Sequence, residues 1–314
     1  MVGLIRGYGT DKGTLTMSQE VAIRTDRMDI SPRFSEFQRF SRVFFSRGLV
    51  VFGTIVILTF IITALLAPLI APYDPYAQDL NNVLLQPNKE HLLGTDSLGR
   101  DTLSRIIFGA RTAIMVGVVA LGIAVSIGMT MGLVAGYFGG WLYAIIMRFV
   151  DAVMSFPMIL LALTIAAVLG GGLVNVMIAL AVGAVPHFAR LMCGQVLSAK
   201  ENDYILAQRS LGASNLRIMF RHIVPNCISP IIVSVTMMIG MTILAEASLS
   251  FLGVGIEPPG AAWGAMVYDG RMYLLTHPIL SLAPGIVIML VVFGFNMVGD
   301  GLRDAIDPRL RGVL

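Results

Sequence analysis

The sequence predicts an all-α integral membrane protein with six transmembrane helices, on three observations. Apolar residues make up 56% of the 314 residues and charged residues 13%, against about 45–50% and about 25% in soluble domains. Mean hydropathy is +0.81. The apolar residues also gather into runs of the length a bilayer requires, since a hydrocarbon core of ~30 Å at ~1.5 Å per residue takes about 20 residues of helix.

The runs follow in order. A charged tail, 1–47, precedes the first helix, 48–72, whose apolar run from Leu49 to Ala71 closes on "APYDPY". Segment 73–110 is polar and carries "GTDSLGRD", read as turns in which Asp101 caps a short helix from Thr102 to Phe108. The second run, Ala113 to Gly136, is free of charge and holds Gly128, Gly132 and Gly136 on one helix face. Such a small-residue stripe admits close approach of another helix, either of this chain or of a neighbouring subunit. The third run is Ala152 to Gly170, starting as early as Leu142 if Arg148 and Asp151 lie inside it. The "GGG" at 170–172 permits only a tight turn before the fourth run, which starts at Leu173 and reaches His187 or beyond. The fifth runs from Ile228 to Ala245 and the sixth from Ile279 to Val298, so 111–300 holds five helices and 301–314 forms a second tail.

Sidedness follows from lysine and arginine. Most of the 22 basic residues fall in the N-terminal tail, at Arg148, from Arg190 to Arg221, and in the C-terminal tail. With six crossings these share one face of the membrane, so both termini are expected to be cytoplasmic. Segments 73–108 and 251–278 are then external.

Several functions find no support. The net charge of +3 comes without a basic, aromatic-interleaved run, so no nucleic-acid partner is expected. Cys193 and Cys227 make no disulfide framework, and His91, His187, His222 and His277 have no metal-ligand spacing. A phosphate loop needs Gly-x-x-x-x-Gly-Lys-Ser/Thr, and none of Lys12, Lys89 and Lys200 stands in that frame. ATP hydrolysis therefore belongs elsewhere. A self-sufficient secondary transporter would show inverted repeats or midplane ionisable groups, and an intramembrane enzyme a nucleophile with a base. Arg148 and Asp151, spaced i, i+3, read either as an anchoring ion pair, with each other or with a neighbour, or as a polar patch on a pathway. Glu246 reads as a functional intramembrane carboxylate or as one solvated at the edge.

"ENDYILAQRSLGASNLRIMFRHIVPN", 201–226, interrupts the apolar runs. Asp203 is expected to cap a helix from Tyr204 to Leu211, with Gly212 as its C′ residue and Ser214 capping a second helix that ends before Pro225. Leu216, Met219, Phe220 and Ile223 form one apolar stripe on it, and Arg217 and Arg221 another face. Such an elbow can lie passively in the headgroups or dock into a groove on a cytoplasmic partner.

The same stretch resembles the cytoplasmic loop of ABC-transporter permeases, Glu-Ala-Ala, three residues, Gly, nine residues, Ile, one residue, Leu-Pro. Gly212, Val224 and Pro225 fit; His222 takes the Ile position, and Leu206, Ala207 and Gln208 take the Glu-Ala-Ala positions, Ala207 alone matching. "HLLGTDSLGRDTLSRIIFGAR" (91–111), "EASLSFLGVGIEPPGAAWGAM" from Glu246 and "GFNMVGDGLRDAIDPRLRG" from Gly294 resemble the dipeptide, oligopeptide and nickel permease family, in its second, C-type subunit. The resemblance covers roughly residues 85–312. It implies a type I ABC importer transmembrane domain in a bacterial inner membrane. It also implies a second related permease subunit, two cytoplasmic ATPase subunits that bind ATP and Mg, and an external solute-binding protein. In that family the loop is a coupling helix, so Ala207, Gly212, Ala213, Ser214, Leu216 and Arg217 are expected to meet the ATPase.

Overall fold

The computed structural model describes residues 40–306. Residues 1–39 and 307–314, with the tail arginines used above for sidedness, lie outside the described residues. The architecture is a bundle of long helices: α1 (Gly48–Ile70), α2 (Thr102–Phe138), α3 (Gly140–Met154), α4 (Met158–Leu169), α5 (Leu173–Ala199), α6 (Asp203–Ser210), α7 (Asn215–Arg217), a π-helical turn (Ile218–Ile223), α8 (Val224–Phe251), α9 (Trp263–Gly270) and α10 (Ile279–Ile306).

Among the described residues, five helices are long and apolar enough to cross a membrane by themselves, the one leading into α8 being counted from Asn215. The third predicted span is instead two helices, α3 and α4, bent by 86°. Pro157 explains the break: it has no N–H to give the preceding turn and takes an extended conformation, φ −55° and ψ 128°, before α4 restarts. The pair still makes one crossing. Gly128 of α2 lies against Val185 of α5, and Gly136 against Val196, so α2 and α5 run parallel. The chain between them must return through the membrane, and only α3 and α4 are there to do so. An ion pair from Arg47 at the start of α1 to Asp304 near the end of α10, 2.9 Å, puts the two ends of the bundle on one side.

The glycine stripe belongs to this chain's own packing. A Cβ on Gly128 would lie 2.7 Å from the Val185 carbonyl oxygen, and one on Gly136 2.9 Å from the Val196 side chain. At Gly132 it would run into the carbonyl oxygen of Ala189. Close backbone approach substitutes here for the hydrophobic effect, which gives helices no reason to associate in lipid.

The short helix expected after Asp101 does not end at Phe108. It is the first part of α2, a single helix of 37 residues, or ~55 Å at ~1.5 Å per residue. Nothing between the two predicted pieces forces a break. Gly109 is the weak point, and Trp263 covers it: its ring would lie 2.5 Å from a Cβ there, and its Nε1–H donates to the Ile106 carbonyl at 2.9 Å. Asp101 caps α2 as expected, accepting from the Ser104 N–H at 2.7 Å.

The "GTDSLGRD" segment folds as turns, with Gly94 and Gly99 both at φ +73°. Asp96 accepts from the N–H groups of Leu98 and Arg100 and pairs with the Arg100 Nε at 2.7 Å and the Arg105 Nε at 3.5 Å. Arg105 also donates to the Pro75 carbonyl, 3.2 Å away. Across from them, burial pushes the Asp269 carboxyl above its ordinary pKa, against the opposing pull of Arg100 and Arg105. The knot fastens the loop between α1 and α2 to α9.

Candidate functional site

The elbow begins one residue earlier than the sequence suggests. Asn202 is the N-cap residue and Asp203 the first residue of α6, where a carboxylate favours the helix N-terminus by charge rather than by capping. Asn202 turns its side-chain amide back instead, donating to the Ala199 carbonyl at 2.9 Å and closing the end of α5. At the other end Gly212 stands at C′ with φ +75°. Its N–H donates to the Arg209 carbonyl and the Ala213 N–H to the Gln208 carbonyl, each 3.0 Å. These two bonds are a Schellman motif, which requires the left-handed conformation that glycine adopts without cost.

Ser214 occupies the N-cap of α7, although its side chain makes no capping bond. The helix it starts does not stop before Pro225. It passes through the π turn straight into α8, and the wider turn just ahead of Pro225 is where the continuous helix takes up the proline's ring and missing N–H. The second arm of the elbow is thus a rigid extension of the fifth membrane span.

The apolar stripe is also split. Met219 and Ile223 are buried, together with Ile205 and Ile218, in a cluster with Leu133, Met192 and Val196 from the ends of α2 and α5. Leu216 and Phe220 point away, 65% and 62% exposed. The π turn accounts for this, since it shifts the residues beyond it off the 3.6-residue period on which the stripe was drawn. Polar clamps complete the inner side. The Tyr137 hydroxyl donates to Asn215 Oδ1 at 2.8 Å, and Lys200 Nζ to the Gly136 carbonyl at 3.2 Å. Arg209 lies over the Tyr137 ring, 5.5 Å from its centroid. Tyr137 gave no signal in the sequence, being one more aromatic at the end of an apolar run.

The outer side carries Leu206, Leu211, Leu216 and Phe220 among Arg209, Arg217 and Arg221, all exposed. Of the residues expected to meet a partner, Ala207, Gly212, Ser214, Leu216 and Arg217 are exposed and Ala213 is half-buried. Buried inside and apolar-basic outside, the elbow presents a fixed crest.

The ionisable groups of the membrane segments separate. Asp151 pairs with Arg190 of the neighbouring α5 rather than with Arg148. Arg148 is exposed. Glu246 is not solvated at an edge: it is 1% exposed and accepts a hydrogen bond from Ser250, one turn on, at 2.7 Å. Ser250 in turn accepts from the Ile256 N–H at 3.2 Å, so the carboxylate braces the loop after α8. In the sequence Arg190 counts only among the basic residues near a loop, and His187 only as a lone histidine toward the end of the fourth run. The signal that places them is the exposed face of α5, apolar at Val174, Ile178 and Val182, then polar from His187 through Arg190 to Ser198.

Comparison with known proteins agrees with this geometry. The family described as "Binding-protein-dependent transport system inner membrane component" matches residues 128–312. The "N-terminal TM domain of oligopeptide transport permease C" matches residues 35–87. The dipeptide transport system permease protein DppC of Alkalihalophilus pseudofirmus is 45% identical over 263 residues, 84% of this chain and 86% of that protein. The glutathione transport system permease protein GsiD of Escherichia coli is 43% identical over 277 residues, 88% of this chain and 91% of that protein. In fold, the chain is similar to an inward-facing structure of the MetNI methionine ABC transporter, with TM-score 0.51, 20% identity, and 65% and 97% of the two chains covered. A type I importer fold, a multi-pass arrangement and matches over both halves of the sequence converge, and the chain belongs to the binding-protein-dependent ABC-transporter permeases of bacterial inner membranes, a family of non-catalytic membrane subunits.

Proposed function

We propose that the chain forms half of the translocation pore of an importer for dipeptides or related peptide-like solutes such as glutathione, and that the elbow takes the ATPase stroke. The exposed crest on a clamped elbow carries this reading. A passive headgroup helix would turn its apolar stripe into lipid as one face; here half of that stripe anchors the elbow to α2 and α5, leaving Leu216, Arg217 and Phe220 free for a groove on a partner. Ala207, Gly212, Ala213 and Ser214 shape the turn that aims them. The partners are a second related permease, two cytoplasmic ATPase subunits holding ATP and Mg, and an external solute-binding protein. The test is reconstitution. The chain alone in lipid is expected neither to hydrolyse ATP nor to accumulate a dipeptide, and the complete complex to do both. Uptake by the isolated chain would overturn the reading.

The domain boundaries follow from the same reading: a cytoplasmic tail (1–47), the first helix (48–72), an external segment (73–110), the transmembrane domain (111–300) with its coupling loop (201–226), and a cytoplasmic tail (301–314). Positive-inside placement of Lys200, Arg209, Arg217 and Arg221 supports an elbow in the cytoplasm. Leu275, beyond α9, and Leu92 are well exposed, at 101% and 60%, and suit cysteine labelling. Ala262 is 1% exposed and does not. Leu275→Cys and Leu92→Cys are expected to react with an impermeant thiol reagent on intact cells. Labelling only after the inner membrane is opened would reverse the topology.

A further inference from the structure

On the elbow side of the bundle, α5, α8 and α10 enclose a cleft of about 490 Å³, within the ~300–1,000 Å³ typical of small-molecule sites. Its walls are mostly apolar, with Leu191, Val233 and Met237 among them, and it carries three polar side chains, His187, Ser234 and Arg303. His187 Nε2 and Ser234 Oγ lie 2.7 Å apart, joining α5 to α8. His187 sits at the middle of the 27-residue α5, where the exposed face of that helix turns from apolar to polar. Arg303 lies near the end of α10, beside the Asp304 that ties this end of the bundle to α1.

Two arguments identify what such a cleft receives. Ionisable and polar groups at membrane depth face a water-filled cavity or the bundle interior, because lipid cannot solvate them. His187 is exposed at mid-helix and so requires water or another protein surface on that side. The charge also has a sign. Arg303 brings a guanidinium to the cleft, and among the described residues no carboxylate lines it. A fixed cation over apolar walls complements a solute with one carboxylate and a largely uncharged body. We propose that the cleft is a waypoint on the translocation pathway that receives the carboxylate of a peptide-like solute, with Arg303 as its cationic partner and the His187–Ser234 pair as the deeper polar contact. This rests on the importer reading above.

The test uses the complete complex in inside-out vesicles without nucleotide. Val233→Cys is a near-isosteric probe on the cleft wall, and the native Cys193 and Cys227 are buried. Its reaction rates with an anionic and a cationic methanethiosulfonate are each normalised to those of a small free thiol. The anionic reagent is expected to be favoured by about threefold or more, as one nearby cation in a water-rich site produces. Arg303→Gln should abolish the preference and Arg303→Lys retain it. A dipeptide should slow labelling more than its C-terminal amide does. No labelling by either reagent would mean that lipid or the second permease covers the cleft. An unchanged preference in Arg303→Gln would remove the carboxylate partner. Either result overturns the proposal, while ATP-driven dipeptide uptake by the wild-type complex reports on the importer reading separately.

Discussion

Gly212→Val is expected to leave the protein inserted and folded while uncoupling ATP hydrolysis from uptake. A Cβ at Gly212 meets nothing within 4 Å, so no clash is involved. The penalty is conformational. At φ +75° an L-residue with a branched Cβ carries a cost of about 1–2 kcal/mol, and the two Schellman bonds hold the chain where that cost is incurred. Relief comes from moving the turn, which re-aims α6 against α7. The second arm cannot follow, because it is continuous with α8 and its inner residues are packed against α2 and α5. The crest therefore breaks in the middle. Transport per ATP hydrolysed should fall severalfold at unchanged expression, and pull-down of the ATPase subunits should weaken. Gly212→Asn should be much milder, since asparagine tolerates the left-handed region. Equal coupling in Gly212→Val and wild type would return the elbow to a passive interfacial role.

Gly132→Val is expected to be the more damaging change to the fold. Here the obstacle is backbone: the added Cβ runs into the Ala189 carbonyl oxygen, with the Cys193 N at 2.8 Å. Side chains can rotate away from an intruder, but helix backbones cannot, so α2 and α5 must separate along their parallel contact. Overpacking of a core costs about 1–3 kcal/mol where side chains can yield, and this site should exceed that. The melting midpoint of the detergent-solubilised complex should drop by several degrees and the folded yield with it. Gly122→Val on the same helix is the control, since a Cβ there meets nothing within 4 Å. Equal stability of the two variants would show that the stripe does not set the α2–α5 distance.

Much of this was legible along the chain. Asp101 capped the helix it was expected to cap, and "GTDSLGRD" formed turns. Gly212 took its C′ place. Each rests on neighbours within a few residues, where propensity and hydrogen bonding are local. The misplacements also have physical causes. Nothing in the apolar pattern told the end of one helix from the start of the next when no breaker stood between them. Thr102–Phe108 therefore merged into α2, whereas Asn215–Ile223 ran into α8 in spite of Pro225, by way of the π turn. Conversely, Pro157 broke a span that hydropathy alone reads as continuous, because hydropathy measures transfer into lipid and not backbone geometry.

The sequence by itself determined the membrane class, the number of crossings, the family and the place of the elbow, since these depend on composition, run length and local spacing. Only the tertiary structure decided which face each element presents. It turned the glycine stripe inward onto α5, gave Asp151 to Arg190 instead of Arg148, buried Glu246 against Ser250, and brought His187, Ser234 and Arg303 to one cleft from three distant helices. A helix face turned to lipid is apolar like one turned to the bundle, so hydrophobic periodicity does not mark the inside of a bundle. That information resides in which backbones can approach and which polar groups find partners, and both are fixed by long-range packing.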